Sequence, residues 1–200
     1  TYSGSQYSLY FKAAFQTTII DTTKMIKIGL TYSSDRYDEA LLLLRPAPPM
    51  IDNKHFARTD KFIGAYSELT VEHNSQLSSI FGYRADYSRA FGLWHTPRFN
   101  IRFKPSDNTA LRVSAGKAYR QANPISENMS YLFSSRNLVL EDYNSLKPEE
   151  AINYGANINH NFYIAGKLTS FNIDIYQTDF QNQVVVDIEQ NQKLSIYNLE

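Results

Sequence analysis

The sequence predicts an all-β fold, an antiparallel wall of the kind that closes into a transmembrane barrel. Three observations carry that prediction. Apolar and polar residues alternate in stretch after stretch of about ten residues, the length a tilted membrane strand needs. The wet side of these stretches offers no apolar layer for a second sheet. Short and long connections between them take turns. The clearest stretch sets Ile152, Tyr154, Ala156, Ile158, His160, Phe162 and Ile164 against Asn153, Gly155, Asn157, Asn159 and Asn161. A period of two puts the two sets on opposite faces of a strand. One greasy wall and one wet wall, repeated, suits lipid outside and water or a plug inside.

Nine strand-like segments follow from this pattern. The first carries Tyr7, Leu9, Phe11, Ala13 and Phe15 on one face, and the second Ile26, Ile28, Leu30 and Tyr32. The third has Ile63, Ala65, Leu69 and Val71, the fourth Leu77, Phe81, Tyr83, Ala85 and Tyr87. A fifth places Phe99, Ile101 and Phe103 opposite Arg98, Asn100, Arg102 and Lys104, and a sixth Leu111, Val113 and Ala115 opposite Arg112, Ser114 and Gly116. The asparagine-rich stretch is the seventh. Phe171, Ile173 and Ile175 mark the eighth, and the ninth begins near Leu194. Tight turns are expected at Ile20 to Thr23, His73 to Gln76, Pro105 to Asn108 and Ala165 to Lys167, from their turn-forming residues. Longer connections are expected at Asp38 to Ala57, Phe91 to Thr96, Gln121 to Glu149 and Val186 to Gln192. Short turns on one rim and long loops on the other is the layout of bacterial barrels, a layout that a soluble sandwich has no reason to keep. Within the longest loop, Asn123-Pro124 reads as an N-cap followed by proline at the first helical position, and Ile125, Met129, Leu132 and Phe133 recur at helical spacing. A short helix over Pro124 to Phe133 is expected there.

Composition agrees. The formal net charge is zero, so no global attraction to nucleic acid is expected. Cysteine is absent, which removes disulfides and thiolate metal sites and fits an envelope protein. Tyrosine (15) and phenylalanine (12) are abundant beside a single tryptophan, as lipid–water girdles require. Mean hydropathy is −0.42, and the longest aliphatic run, Leu41 to Leu44, falls far short of the roughly 20 residues of a spanning helix. A membrane chain of this kind spans with strands. No basic and apolar leader opens at Thr1, and the chain stops inside an alternating segment, so it reads as an interior piece of a longer protein.

Certain runs then resemble a family. Thr96-Pro97-Arg98-Phe99 leads through Lys104 to Thr109 into Leu111-Arg112-Val113-Ser114-Ala115-Gly116-Lys117-Ala118-Tyr119-Arg120. After these come Ala122-Asn123-Pro124, Leu146-Lys147-Pro148-Glu149-Glu150 with Asn153-Tyr154-Gly155, and Tyr176 to Phe180 with Gln183-Val184-Val185. Order and spacing resemble the barrel of TonB-dependent outer-membrane receptors, best from Trp94 to Asp187. Gln121-Ala122-Asn123-Pro124 departs from the pattern, since many members place proline straight after Arg-Ala. The resemblance implies about nine strands of a barrel of about 22 in the outer membrane of a Gram-negative bacterium, plugged by an N-terminal domain. It implies binding and import of a scarce ligand such as a ferric siderophore, haem or cobalamin, with energy from TonB, which is engaged through the plug region. The expected partners are TonB, the protein's own plug, a small-molecule or metal-chelate ligand and outer-membrane lipid, with no nucleic acid and no resident cofactor. A passive porin or adhesin barrel is the alternative, followed by a barrel enzyme.

Candidate site residues fall in two groups. Even-numbered positions place Arg84, Arg98, Arg102, Lys104, Arg112 and Arg120, with Asp86 among them, on the inner face. A basic stripe there would hold an anionic ligand or anchor the plug through bidentate pairs; the plainer reading is an ordinary solvated lining. In the loop, Asn128, Met129, Tyr131, Phe133 and Arg136 form either part of an external ligand pocket or a loop packing on its neighbours. Leu41 to Leu44 with Pro46, Pro48 and Pro49 reads as an apolar loop, and Trp94 beside His95 as an outer-girdle pair. No catalytic residue or metal site is expected: hydrolase and phosphate-loop motifs are absent, and His55, His73, His95 and His160 are scattered.

Overall fold

The computed structural model describes residues 1–19, 23–46, 49–132, 137–140, 146–189 and 193–199; at 43–46, 49–52, 132, 137–140 and 193 it describes the backbone alone. Among the described residues eleven strands run in chain order. They are β1 (Tyr2–Thr18), β2 (Lys24–Pro46), β3 (Pro49–Glu72), β4 (Leu77–Ser88), β5 (Gly92–Ser106), β6 (Thr109–Arg120), β7 (Asn137–Leu140), β8 (Glu149–Ile164), β9 (Lys167–Gln181), β10 (Gln183–Asp187) and β11 (Lys193–Leu199). A 3-10 turn at Ser126–Asn128 runs into a one-turn helix, α1 (Met129–Leu132). Eight strands form one sheet in the order β1-β2-β3-β4-β5-β6-β8-β9, and β10-β11-β7 form a small second sheet. Every neighbour in the large sheet is antiparallel. The antiparallel barrel-type wall expected from the alternation is the observed architecture.

Register confirms which side chains share a face. Cross-strand partners Lys12↔Thr31, Thr31↔Gly64, Gly64↔Asp86 and Asp86↔Trp94 run along the polar side of β1 to β5. Phe11, Tyr32, Ile63 and Tyr87 are likewise successive partners on the apolar side. That apolar side is bare: Phe11 is 62% exposed, Ile63 62% and Ile175 69%. Among the described residues no helix or second sheet covers these rows, which is how a lipid-facing wall differs from a sandwich half.

Two connections and one strand differ from expectation. Asp38 to Ala57, expected as a loop, is the far end of the β2–β3 hairpin, paired from Lys24↔Val71 to Pro46↔Pro49. Its outward positions, Asn53, His55, Ala57, Thr59 and Lys61, are exposed and mostly polar. On β3 the apolar row stops at Ile63 and on β2 at Tyr32 while both strands run on, so this part projects beyond those rows with mostly polar side chains outward, and Leu41 to Leu44 belongs to a strand. Phe91 to Thr96, also expected as a loop, lies almost wholly in β5. The actual turn is Arg89 to Phe91, closed by Gly92 at φ +78°, where a side chain would be strained. The ninth segment, β11, pairs with β10 and β7 rather than extending the wall. Asn182, at φ +53°, turns the chain out of β9.

What the small sheet gains is a core. Leu194 and Ile196 pack with Leu41 and Ile125, and Tyr2, Phe56, Val184 and Val186 surround them. This cluster sits at the long-loop rim on the polar side of the wall. Here the projecting β1–β3 segment, the start of the longest loop and the small sheet meet.

Candidate functional site

The polar face is built by pairing large side chains with glycines on neighbouring strands. A Cβ on Gly64 would overlap the Asp86 carboxylate and the Thr31 hydroxyl; one on Gly82 would overlap Arg98, and one on Gly29 the Tyr66 ring. These glycines leave room for Asp86, Arg98 and Tyr66 to lie across the sheet. Arg84 then grips Asp86 with two bonds, Nε to Oδ2 at 2.5 Å and Nη2 to Oδ1 at 2.6 Å, and Nη2 also reaches the Thr31 hydroxyl at 3.0 Å. Asp86 is 8% exposed, so a full counter-charge is needed there. Arg98 donates to Glu68 through Nη2 alone.

Together these groups line an open cleft of about 540 Å³ on the polar face, with Lys12, Phe62, Tyr66, Trp94 and Tyr119. Lys12 Nζ lies 5.2 Å from the Tyr66 ring centroid. Phe62 and Trp94 meet at 4.7 Å between ring centroids, and Tyr119 stacks on Trp94 at 5.3 Å. The β5–β6 ladder explains that last contact. It stops at Arg98↔Gly116, past which Pro97 brings no N–H to the ladder, and Tyr119 leans into the opening. The Tyr66 hydroxyl is buried without a hydrogen-bond partner among the described residues. Four cations (Lys12, Arg84, Arg98, Lys117) and one carboxylate, Asp86, line the cleft. Glu68 and Glu150 pair with Arg98 and Lys117 from its edge. Among the described residues Lys12 is left as the cleft cation that faces a ring rather than a carboxylate.

The expected inner-face residues divide. Arg84 and Arg98 line this cleft. Arg102 and Arg112 are cross-strand partners in a second cleft of about 510 Å³ nearer the short-turn rim, which Arg98 also borders. Arg112 donates to Asn157 Oδ1 at 3.2 Å. Lys104 lies within the register break between Phe103 and Ser106 and lines neither cleft. Arg120 is at the opposite rim, forked onto Glu149 (Nε 2.7 Å, Nη2 2.6 Å) and reaching Glu127 at 3.2 Å.

Of the loop group, Asn128 caps its own turn by donating to the Pro124 carbonyl at 3.0 Å, Met129 is half-buried and Tyr131 is 45% exposed. None of the three lines either cleft. Phe133 and Arg136 lie outside the described residues. The helix stands where expected but is capped differently. The Asn123 side chain makes no cap, and the Glu127 carboxylate instead accepts from the Asn123 N–H at 3.1 Å.

Trp94 requires a correction: it faces the cleft rather than the outer girdle. Its phase was available, because stepping back by twos from Arg102 through Asn100, Arg98 and Thr96 arrives at Trp94. Lys12 and Tyr66 were also on the polar alternation, but nothing local marked them as neighbours across three strands.

Comparisons with known proteins agree with this geometry. The sequence matches the family described as TonB dependent receptor-like, beta-barrel, over residues 1–199. Among curated protein sequences none matches. Solved structures with the same fold include the siderophore receptor PirA from Pseudomonas aeruginosa (14% identity, TM-score 0.69, 98% of this chain and 34% of that one). A variant of the ferric enterobactin receptor PfeA from Pseudomonas aeruginosa, solved with enterobactin, gives 13% identity and TM-score 0.71 over 98% of this chain and 32% of that one. PirA from Acinetobacter baumannii gives 13% and 0.69 over 98% and 33%. The chain therefore spans about a third of the receptors it matches, and at these identities the likeness shows the fold alone.

Proposed function

The chain belongs to the TonB-dependent receptor β-barrel family, and from that premise we propose that it forms the ligand-facing sector of an outer-membrane import receptor for an anionic metal chelate. Barrels of this family are outer-membrane proteins of Gram-negative bacteria, and the similar solved structures are transport receptors rather than enzymes. The bare apolar rows face lipid and the clefts face the lumen. In this reading a plug domain fills that lumen, and TonB supplies the energy for import.

One observation carries the ligand class. The 540 Å³ cleft combines aromatic faces with, among the described residues, an unpartnered tyrosine hydroxyl and a lysine with no carboxylate of its own. An anionic chelate with flat or aryl parts meets all three: charge at Lys12, stacking at Trp94 and Tyr66, and a hydrogen bond at the Tyr66 hydroxyl. The fork of Arg84 on Asp86 holds the wall of the cleft rigid, so little ordering cost falls on binding. The names of PirA and PfeA, a siderophore receptor and a ferric enterobactin receptor, point to the same class.

The intact receptor, titrated with ferric catecholates, ferric hydroxamates, haem and cobalamin, tests this. Saturable binding of one anionic chelate, weakened by Lys12→Gln, is the expected result. No binding by any of them, or binding indifferent to Lys12, Trp94 and Tyr66 together, would overturn it.

A further inference from the structure

Arg58 stands on the projecting, wet part of β3, yet its guanidinium is out of water: the side chains of Arg58 and Asp60 are each 6% exposed. Nε lies 2.9 Å from Asp60 Oδ2 but off the line of its N–H, so that contact is charge attraction rather than a hydrogen bond. Nη1 donates to the Ala122 carbonyl at 3.1 Å, across 64 residues of chain. The guanidinium carbon sits 4.9 Å from the centroid of the Tyr37 ring. Burying a guanidinium is costly unless its charge and donors are met. Among the described residues, groups from β2, β3 and the segment leaving β6 meet it.

That segment is the base of the longest loop. Ala122 is 1% exposed, and Ile125 is fully buried in the rim core with Leu41, Leu194 and Ile196. On its other side Arg120 ties it to β8 through Glu149 and to the first turn through Glu127, whose carboxylate also takes the Asn123 N–H. The base of the loop is thus gripped from β6–β8 by Arg120 and from the projecting hairpin by Arg58. Neutralising Asp60 alone would not require the Ala122 carbonyl. A lysine could not take both contacts, because its compact ammonium lacks the fork.

We infer that Arg58 is a positioning residue that fixes the loop helix to the β2–β3 hairpin, so that the two present one preset rim at the barrel mouth. Its consequence for capture rests on the function proposed above. A preset rim spares an arriving ligand the cost of ordering it.

The test uses the full-length receptor in detergent. Replacing Arg58→Met together with Asp60→Leu removes both charges of that pair at once, so neither is left buried without the other. Without ligand, amide exchange over residues 123–132 should rise at least tenfold while β8 and β9 keep their rates; Arg58→Lys should give the same local rise. Unchanged exchange over 123–132 in the double variant would overturn the inference. So would an equal rise throughout the wall, which would make Arg58 a general support. Association rates for ferric catecholate and hydroxamate probes are read in parallel and should fall about tenfold. If local exchange rises but no probe associates more slowly, the anchor stands and the capture role of the mouth fails.

Discussion

The polar face of this wall carries two chemistries on one backbone geometry. From β2 to β6 it is ionic: Arg84 on Asp86 and Arg98 on Glu68, with long side chains lying over glycines and aromatic rings rising between them. On β8 and β9 it is an amide ladder. Asn157 Nδ2 donates to Asn172 Oδ1 at 2.8 Å and to Asp174 Oδ1 at 2.7 Å, Asn172 donates to Asp174, and Ser170 donates to Asn161. The seam is the Arg112 contact with Asn157. Short amides satisfy one another along the sheet and stay flat. Long charged groups stand up and enclose space, and both described clefts lie on the ionic side. Strand pairing makes the wall, and side-chain length and charge decide where it can recognise a ligand.

Cutting an ionic bond should separate the two sectors most. Arg84→Met leaves Asp86 enclosed without its counter-charge, and should lower unfolding stability by about 2–3 kcal/mol. That is below the range for fully buried pairs, because the Arg84 side chain is 39% exposed. Denaturant unfolding in detergent measures it. Lys12→Gln should leave stability alone and weaken binding of the anionic chelate by about tenfold, about 1.4 kcal/mol. In the amide ladder, Asn157→Ala should cost about 1 kcal/mol of stability and leave the same affinity within about twofold. Equal binding losses from Lys12→Gln and Asn157→Ala would erase the distinction.

How legible each sector was in the sequence follows from what its residues respond to. The alternation of β8 could be read because lipid and water act on every residue in turn, and Phe11 and Ile175 show it independently at the far ends of the sheet. The projecting hairpin could not, because both faces of a strand above the lipid can be polar and the periodic signal vanishes while the pairing continues. Arg58 was hidden for the same reason: it falls between the expected loop, which ends at Ala57, and Ile63, the first residue assigned to the third strand, so no face was assigned to it. The helix at Met129–Leu132 was legible from proline and apolar spacing. That β11 would leave the wall was not, since its apolar residues fit a rim core as well as a lipid face. The cleft depended on register across β1 to β6, which no single segment encodes.

A smaller effect belongs to the rim. Burial, reinforced by its bond to Glu39, pushes the Tyr2 phenol up to about 12. The folded state therefore holds a proton that the unfolded chain, titrating near pH 10, gives up. This contact is fully present below about pH 10 and is lost as pH rises through about 12. Phenolate absorbance should show one tyrosine titrating late, and Tyr2→Phe should remove that late component.

The orientation of the wall underlies all of these expectations, and the most direct test is a scan of single fluorescent labels along β8 in the intact receptor, in bilayers containing brominated lipid. Labels at Ala156, Ile158 and Phe162 should be quenched, and labels at Gly155, Asn157 and Asn159 should not. Quenching without that two-residue rhythm, or strongest at the asparagines, would contradict the assignment of the apolar rows to lipid.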